Sequence, residues 1–388
     1  PALVPEIRAV RELADSPFVS GNSYDLLVDG QATYDSIHAG IEKAESYILF
    51  QFYIIRADRS GNRFKEQLIR KAQEGVRVYV LYDEVGSSQL PGHWIAEIRK
   101  AGIAVFPFNT RQGSRNRFQL NFRNHRKIVV VDGKVAWLGG LNVGDDYLGE
   151  DKKLSPWRDT HLRFEGPAAL MAQGVFMSDW HWASRELIPA LNWEPQVAAE
   201  LADGESGNNI LVLQSGPADE HETASLFFTQ ALNLARQRIW IATPYFIPDE
   251  ATMVALRLAL LKGLDVRIIT PALNDNWFVR HASNVFLREL SKMGARIYFY
   301  DKGFMHQKVM LIDDRLGLVG TVNFDNRSFR LNFEITAALA GPEFNAELEA
   351  MLLEDLANSV DAGPDYFSEP SLWESLKARG SALMAPLL

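Results

Sequence analysis

With 388 residues, 47% of them apolar, the chain can bury a large core, and its length alone suggests two or three domains. It contains no cysteine, which excludes disulfides, thiolate nucleophiles and cysteine-ligated zinc. A formal charge of -9 disfavours non-specific binding to nucleic acid over the whole surface, so an anionic ligand must be met by a local cationic patch.

No stretch reaches about 18 consecutive apolar residues, the length a membrane-spanning helix needs. A start at Pro1 rather than Met reads as a processed or truncated piece. In chain order, the patterning predicts an amphipathic helix over 34–45 feeding a strand over 46–55, then a surface turn over 56–61. A helix over 64–74 stops at Gly75 before a strand over 76–82, and a helix over 94–101 stops at Gly102 before a strand over 103–108. A basic loop over 109–124 leads into N-H-R-K-I-V-V-V-D-G-K-V-A-W-L-G-G-L-N at 124–142. There His125 and Lys127 lie two apart in a segment of strand composition, which directs both side chains to one face, and Asp132-Gly133 signals a hairpin. Beyond come Trp157-Arg-Asp-Thr-His161, a strand over 162–164 and an aromatic-rich helix over 167–186.

A polar, glycine-containing stretch at 196–209 reads as a linker between a first lobe, 1–195, and a second, 210–388. The second lobe repeats the order: helix 222–236, strand 238–243, helix 251–262, strand 266–270, helix 286–293, strand 295–300. It then carries His306, Lys308, Asp313, Gly320 and Asn323, each 181 residues after His125, Lys127, Asp132, Gly139 and Asn142. Two α/β units with equivalent motifs can face each other across a pseudo-two-fold axis, which predicts one bilobal body with a single site at the lobe interface.

Two histidines and two lysines supply what phosphodiester cleavage needs: a nucleophile, an acid for the leaving alkoxide, and cations for the charge developing on phosphoryl oxygens. Attack by one imidazole gives a covalent phosphohistidine, and the other moves the proton. Lys127 and Lys308, with the amides of Asn142 and Asn323, are the expected phosphate ligands, and no metal or other cofactor is required. Each imidazole needs an acceptor for its second nitrogen. The downstream carboxylates assign Asp159 to His125 in the first lobe and Glu334 to His306 in the second. Asp132 and Asp313 complete the motif and are counted with the catalytic set, where hairpin and ion-pair structure is their expected work.

The doubled His-x-Lys-x-x-x-x-Asp followed by Gly-Gly-x-Asn resembles the phospholipase D superfamily, and within it the bacterial cardiolipin synthase branch. The likeness spans nearly the whole chain, from Gly21-Asn22 through Thr243-Pro-Tyr-Phe-Ile-Pro-Asp-Glu250 to Ala-Pro-Leu-Leu at the end. Trp157-Arg-Asp-Thr-His161, Gly303-Phe-Met-His-Gln-Lys308 and Gly320-Thr-Val-Asn-Phe-Asp-Asn-Arg-Ser328 carry it most specifically. The resemblance implies an α/β fold of two similar α-β-α sandwich lobes, and a phosphohistidine intermediate with His125 as nucleophile and His306 as acid. It also implies transfer of a phosphatidyl group between two phosphatidylglycerol molecules, releasing glycerol. Hydrolysis of phospholipid is the alternative reaction, ahead of a nuclease. Thr321 stands where the family often has Ser, and the membrane helices common at the amino terminus of this branch are absent. The chain is therefore expected to be the soluble catalytic portion of a bacterial inner-membrane enzyme, with anionic phospholipid as partner and no nucleic acid. The sequence leaves its oligomeric state open.

Other features carry lesser expectations. Arg111, Arg115, Arg117, Arg123, Arg126 and Lys127 follow one another with no acidic residue between and with Phe118 and Phe122 interleaved, a composition suited either to steering anionic headgroups or to a solvated loop. Phe176, Trp180, Trp182 and Trp193, on or after that helix, are read as core or helix packing rather than a cofactor box, and His161 and His281 as hydrogen-bonding or packing residues. Tyr245, Phe246, Trp277 and Phe278 suit either an acyl groove or burial beneath loops.

Overall fold

A computed structural model describes residues 5–108, 122–151, 153–201, 206–273, 277–363 and 366–367. Arg111, Arg115, Arg117 and Phe118, the Trp277 and Phe278 side chains, and the terminal Ala-Pro-Leu-Leu lie outside the described residues. The first half runs α1 (Pro5–Ala14), β1 (Val19–Val28), α2 (Asp29–Glu42), β2 (Tyr47–Phe52), α3 (Arg59–Gln73), β3 (Arg77–Asp83), α4 (Gly92–Lys100) and β4 (Ala104–Phe108). It continues through β5 (Arg123–Asn124), β6 (Ile128–Val131), β7 (Val135–Gly139), β8 (Trp157–Arg158), β9 (Thr160–Glu165) and α5 (Ala168–Ser184). The second half runs β10 (Asn208–Ser215), α6 (Thr223–Leu234), β11 (Arg238–Ala242), β12 (Phe246–Ile247), α7 (Glu250–Leu261), β13 (Asp265–Pro271), α8 (Trp277–Lys292) and β14 (Arg296–Tyr300). It closes with β15 (Phe304–Met305), β16 (Val309–Ile312), β17 (Leu316–Gly320), β18 (Phe324–Asp325), α9 (Asn326–Arg330), β19 (Asn332–Ala340), α10 (Pro342–Ala357) and β20 (Ser359–Asp361).

The α/β class holds, and the repeat is visible in the strand order. In each half three parallel strands, β2-β3-β4 or β11-β13-β14, are followed inward by an antiparallel meander, β6-β7-β9 or β16-β17-β19. The two halves share one 16-stranded sheet, because β1 and β10 pair antiparallel at the centre, with Asn22 opposite Asn208. Both faces are covered by helices. Residues of α2, α3 and α4 fill a core on one half, α1, α6 and α7 a core on the other, and α5 and α10 pack over the opposite face across both halves.

Local chemistry explains most of the boundaries. The helix stops read from Gly75, Gly102, Gly263 and Gly294 are real: all four sit at φ between 80 and 104°, where a side chain is disfavoured. The turn expected over 56–61 is instead a helix start, since Asp58 caps α3 by accepting the Gly61 amide at 3.0 Å. Strand β1 precedes the first element expected from sequence, and β10 begins within the expected linker and runs past it. They lie at the middle of the sheet, where neighbours rather than alternation decide burial.

The hairpin role expected of Asp132 and Asp313 holds, and their expected ion pairs are corrected. Both sit at the far end of β6 and β16 from the histidines, at φ 54 and 51°, in the hairpin turns. Neither is ion-paired among the described residues. Asp132 accepts the backbone N–H groups of Glu45, Ser46 and Tyr47 at 2.7–2.8 Å, and Asp313 those of Arg236, Gln237 and Arg238 at 2.8–2.9 Å. A carboxylate two atoms beyond the backbone is the group that can gather three successive amides at the entrance of β2 or β11. Asp132→Ala is therefore expected to cost about 3 kcal/mol of stability, read as a lower urea midpoint at unchanged slope. Turnover per folded molecule should stay within about threefold of the parent, whereas a catalytic Asp132 would lose orders of magnitude.

Candidate active site

The two motif segments meet where the halves join. β5 pairs parallel with the start of β19, and β8 with β15, so each half lends a short strand to the other beside its histidine. His125 continues the first of these pairings by donating its amide to the Phe333 carbonyl at 2.9 Å, and His306 the second, to the Arg158 carbonyl at 2.7 Å. The strands β6 and β16 begin only at Ile128 and Val309, so His125 to Lys127 and His306 to Lys308 are the connections entering them.

This exchange crosses the orienting pairs. The Nδ1 of His125 lies 3.0 Å from Glu334 Oε2 and 3.1 Å from the Thr321 carbonyl oxygen, and the Nδ1 of His306 lies 2.9 Å from Asp159 Oδ2. Both carboxylates are the residues expected from sequence, but each serves the histidine of the opposite half. The within-lobe assignment is thus corrected: β19 and β9 leave the sheet centre pointing at the partner half's motif. Two acceptors at His125 Nδ1 require that nitrogen to carry the proton, so its Nε2 holds a lone pair, with no hydrogen bond among the described residues.

The lysines are buried beneath the imidazoles. Lys127 Nζ donates to the His125 carbonyl at 2.6 Å and stands 5.4 Å over the Tyr53 ring. Lys308 Nζ donates to the His306 carbonyl and lies 2.9 and 3.0 Å from the two His306 ring nitrogens. Burial drives Lys127 down to about 7 against the pull of Glu334. Burial also takes His306 to about 3, with the Lys308 charge pushing the same way, and it lowers His125. Asp159 and Glu334 are raised by burial, yet their hydrogen bonds to the imidazoles and the nearby ammonium charges outweigh it and hold both below the usual range. With protein groups alone facing them the imidazoles are neutral, and a phosphate anion between the lysines would favour their protonated forms.

Asn142 and Asn323 follow β7 and β17 and are buried beside the lysines. Asn142 Oδ1 accepts the Ile54 amide at 3.1 Å and its Nδ2 donates to the Tyr147 hydroxyl at 3.0 Å, which leaves one N–H for a ligand. Asn323 Oδ1 is buried with no partner among the described residues.

Sequence reasoning missed a layer of positioning residues behind the motifs. Asp179 on α5 accepts from Arg126, Asn124 and Gln51, while Asp355 on α10 accepts from Gln307 and, across the halves, from Arg158. Arg126 and Lys127, expected in a cationic loop, are in fact buried, and Arg126 is ion-paired with Asp179, so neither steers ligands from the surface. The arginine in Trp157-Arg158-Asp159 was the available signal, because a motif arginine beside a histidine-orienting acid needs a carboxylate of its own. Phe176 and Trp180 are core as expected, whereas Trp182 and Trp193, read with them as core or helix packing, are exposed because they lie at and beyond the end of α5; Phe246 is buried against Phe324 rather than lining a groove. His161 is also buried, with both ring nitrogens unpartnered among the described residues. No group of three or more metal-ligating side chains occurs among the described residues, and no described helix is long and apolar enough to cross a membrane.

The crossed pairing predicts the outcome of double-mutant cycles on unfolding free energy. The pairs His125–Glu334 and His306–Asp159 should each couple by about 0.5–3 kcal/mol, and His125–Asp159 and His306–Glu334 more weakly. The reverse ranking would restore the within-lobe assignment.

Comparison with known proteins agrees with this geometry. The model of the family described as cardiolipin synthase, PLD-like domain, matches residues 37–153 and 228–356, one segment per half. Cardiolipin synthase A of Pseudomonas putida strain W619 is 46% identical over 384 residues, covering 98% of this chain and 78% of the relative. The Pseudomonas entomophila protein of the same name is 45% identical with the same coverage. Among solved structures, the phosphatidylserine synthase of Haemophilus influenzae Rd KW20 aligns with a TM-score of 0.75 over 99% of this chain and 100% of its own, at 16% identity, a likeness of fold. The chain belongs to the cardiolipin synthase family of the phospholipase D superfamily and is a phosphatidyltransferase.

Proposed function

We propose that the enzyme joins two phosphatidylglycerol molecules into cardiolipin through a phosphohistidine, with His125 as nucleophile. The observation that carries this reading is the crossed pairing: Glu334 and the Thr321 carbonyl fix the proton on His125 Nδ1 and leave Nε2 its lone pair. His125 Nε2 attacks phosphorus of the first lipid, the phosphorus–oxygen bond to the terminal glycerol breaks, and His306 gives that alkoxide its proton as glycerol leaves. His306 then takes the proton of the terminal hydroxyl of a second phosphatidylglycerol. That oxygen attacks phosphorus, the phosphorus–nitrogen bond breaks, and cardiolipin departs with His125 restored.

The side chains divide this work by their chemistry. Lys127 and Lys308 place compact charges under the phosphoryl oxygens, and Asn142 and Asn323 provide amide donors. Asp159, ionised and bound to His306 Nδ1, stabilises the imidazolium that forms when His306 takes a proton. Burial keeps His306 near 3 before a ligand arrives, and an incoming phosphate charge raises it toward the range where it can donate. Asp132 and Asp313 support the hairpins and take no part in bond changes. The reading places the enzyme at the bacterial cytoplasmic membrane, where its lipid substrates lie.

Incubating the protein with phosphatidylglycerol liposomes and separating the lipids tests the reaction. Cardiolipin and glycerol should accumulate in equal amounts, and phosphatidic acid as the sole product would make the enzyme a hydrolase instead. His125→Ala and His306→Ala should each lower turnover by at least about a thousandfold, and near-normal activity in either would defeat the mechanism.

A further inference from the structure

The two halves of the site are built on one plan but their walls differ. On the His125 side the Tyr53 ring stands edge-on to the imidazole at 5.1 Å, and the Tyr53 hydroxyl is hydrogen-bonded to Arg123. Arg123 sits in β5 two residues before His125, half-buried, opposite Asn332 of β19, and also donates to the Phe122 carbonyl at 3.1 Å. Arg327, in the first turn of α9 and also half-buried, is close enough to Arg123, Tyr53, Asp325 and Glu334 to interact with each electrostatically. On the His306 side the imidazole meets Trp157 at 5.1 Å and Phe304 at 5.9 Å, and Tyr147 lies edge-on to Trp157 at 4.8 Å. The offset that carries His125 onto His306 carries Arg123 onto Phe304 and Asp146 onto Arg327. One wall is therefore cationic, and its counterpart is aromatic and acidic.

Two guanidinium groups held near each other beside a lipid-phosphate site repel, and burial with the Arg123 charge lowers Arg327. Such a pair is stabilised by an anion that takes N–H groups from both, and a guanidinium has five to give. The reaction proposed above brings such an anion. A phosphatidylglycerol acceptor carries its own phosphodiester, separated from the attacking hydroxyl by a flexible three-carbon bridge. That bridge can fold toward either wall, whichever imidazole the hydroxyl meets, and the His125 wall carries two guanidinium groups, whereas Arg158 beside His306 is ion-paired with Asp355. Water and small alcohols, as acceptors, bring no second anion.

We propose that Arg123 and Arg327, together with the Tyr53 hydroxyl, form a second anion subsite that holds the phosphodiester of the lipid acceptor while the central lysines hold the phosphoryl group in transfer. The inference rests on the phosphatidyl-transfer reading and deepens it, since it names what selects a phospholipid over water or a neutral alcohol as the attacking group.

Competition between acceptors tests it. The full chain is incubated with phosphatidylglycerol in mixed micelles containing n-butanol, and cardiolipin is measured against phosphatidylbutanol. In Arg123→Gln and Arg327→Gln the ratio of cardiolipin to phosphatidylbutanol should fall at least about tenfold, as expected for loss of a charge-assisted contact. Arg123→Lys and Arg327→Lys should recover part of it, and Arg315→Gln, remote from the site at the β16–β17 turn, should leave the ratio at the parent value. Phosphatidylbutanol formed by the same variants reports that their catalytic centre is folded. An unchanged ratio in both glutamine variants, or a parallel fall of both products, overturns the subsite alone. Absence of cardiolipin from the parent enzyme overturns the transfer reading and the subsite with it.

Discussion

The site depends on two hydrogen bonds that cross between the halves, Glu334 to His125 and Asp159 to His306. An imidazole works through one nitrogen only when the other is held, and here the holding group always comes from the opposite repeat. A single repeat would therefore carry a histidine and a lysine without an orienting carboxylate. The central β1–β10 pairing, which makes one sheet of two halves, keeps both carboxylates at the required spacing. Arg158 reaching Asp355, and Arg126 reaching the Ser215 and Glu334 carbonyls, add buried charge-assisted contacts across the same seam.

Much of this was legible in the sequence for a physical reason. The equal spacing of His, Lys, Asp, Gly and Asn in the two motifs reports a duplicated backbone, and glycine stops at helix ends report left-handed turns that other residues avoid. The carboxylates Asp159 and Glu334 could be picked out by type, but not by partner. A one-dimensional spacing does not say which half a strand end points toward. For Asp132 and Asp313 the hairpin role was legible from Asp132-Gly133, but their partners were not: three backbone amides at the entrance of a neighbouring strand stand where an ion pair was expected. Central strand β10 lacks alternation because most of it is buried on both faces, whereas β1 is buried only at Gly21 to Ser23 and carries polar residues elsewhere, so neither shows the pattern that marks a strand.

The pseudo-symmetry also shows where function has pulled the halves apart. Both histidines have an acid at Nδ1, yet among the described residues only His306 has an ammonium against both ring nitrogens. Arg126 became Gln307 while both keep a buried aspartate behind them, Asp179 and Asp355. Conserved geometry with altered charge is what two sequential half-reactions on one phosphorus require: one side must hold a covalent bond and the other must move a proton.

The central claim is that the phosphatidyl group passes through His125. The most direct measurement is to react the parent enzyme with phosphatidylglycerol, quench within the first turnovers at alkaline pH where phosphohistidine survives, and map the modified peptide by mass spectrometry. The account predicts a phosphatidyl adduct on the peptide carrying His125 and none on any other. An adduct on the peptide carrying His306, with none on that carrying His125, would contradict it.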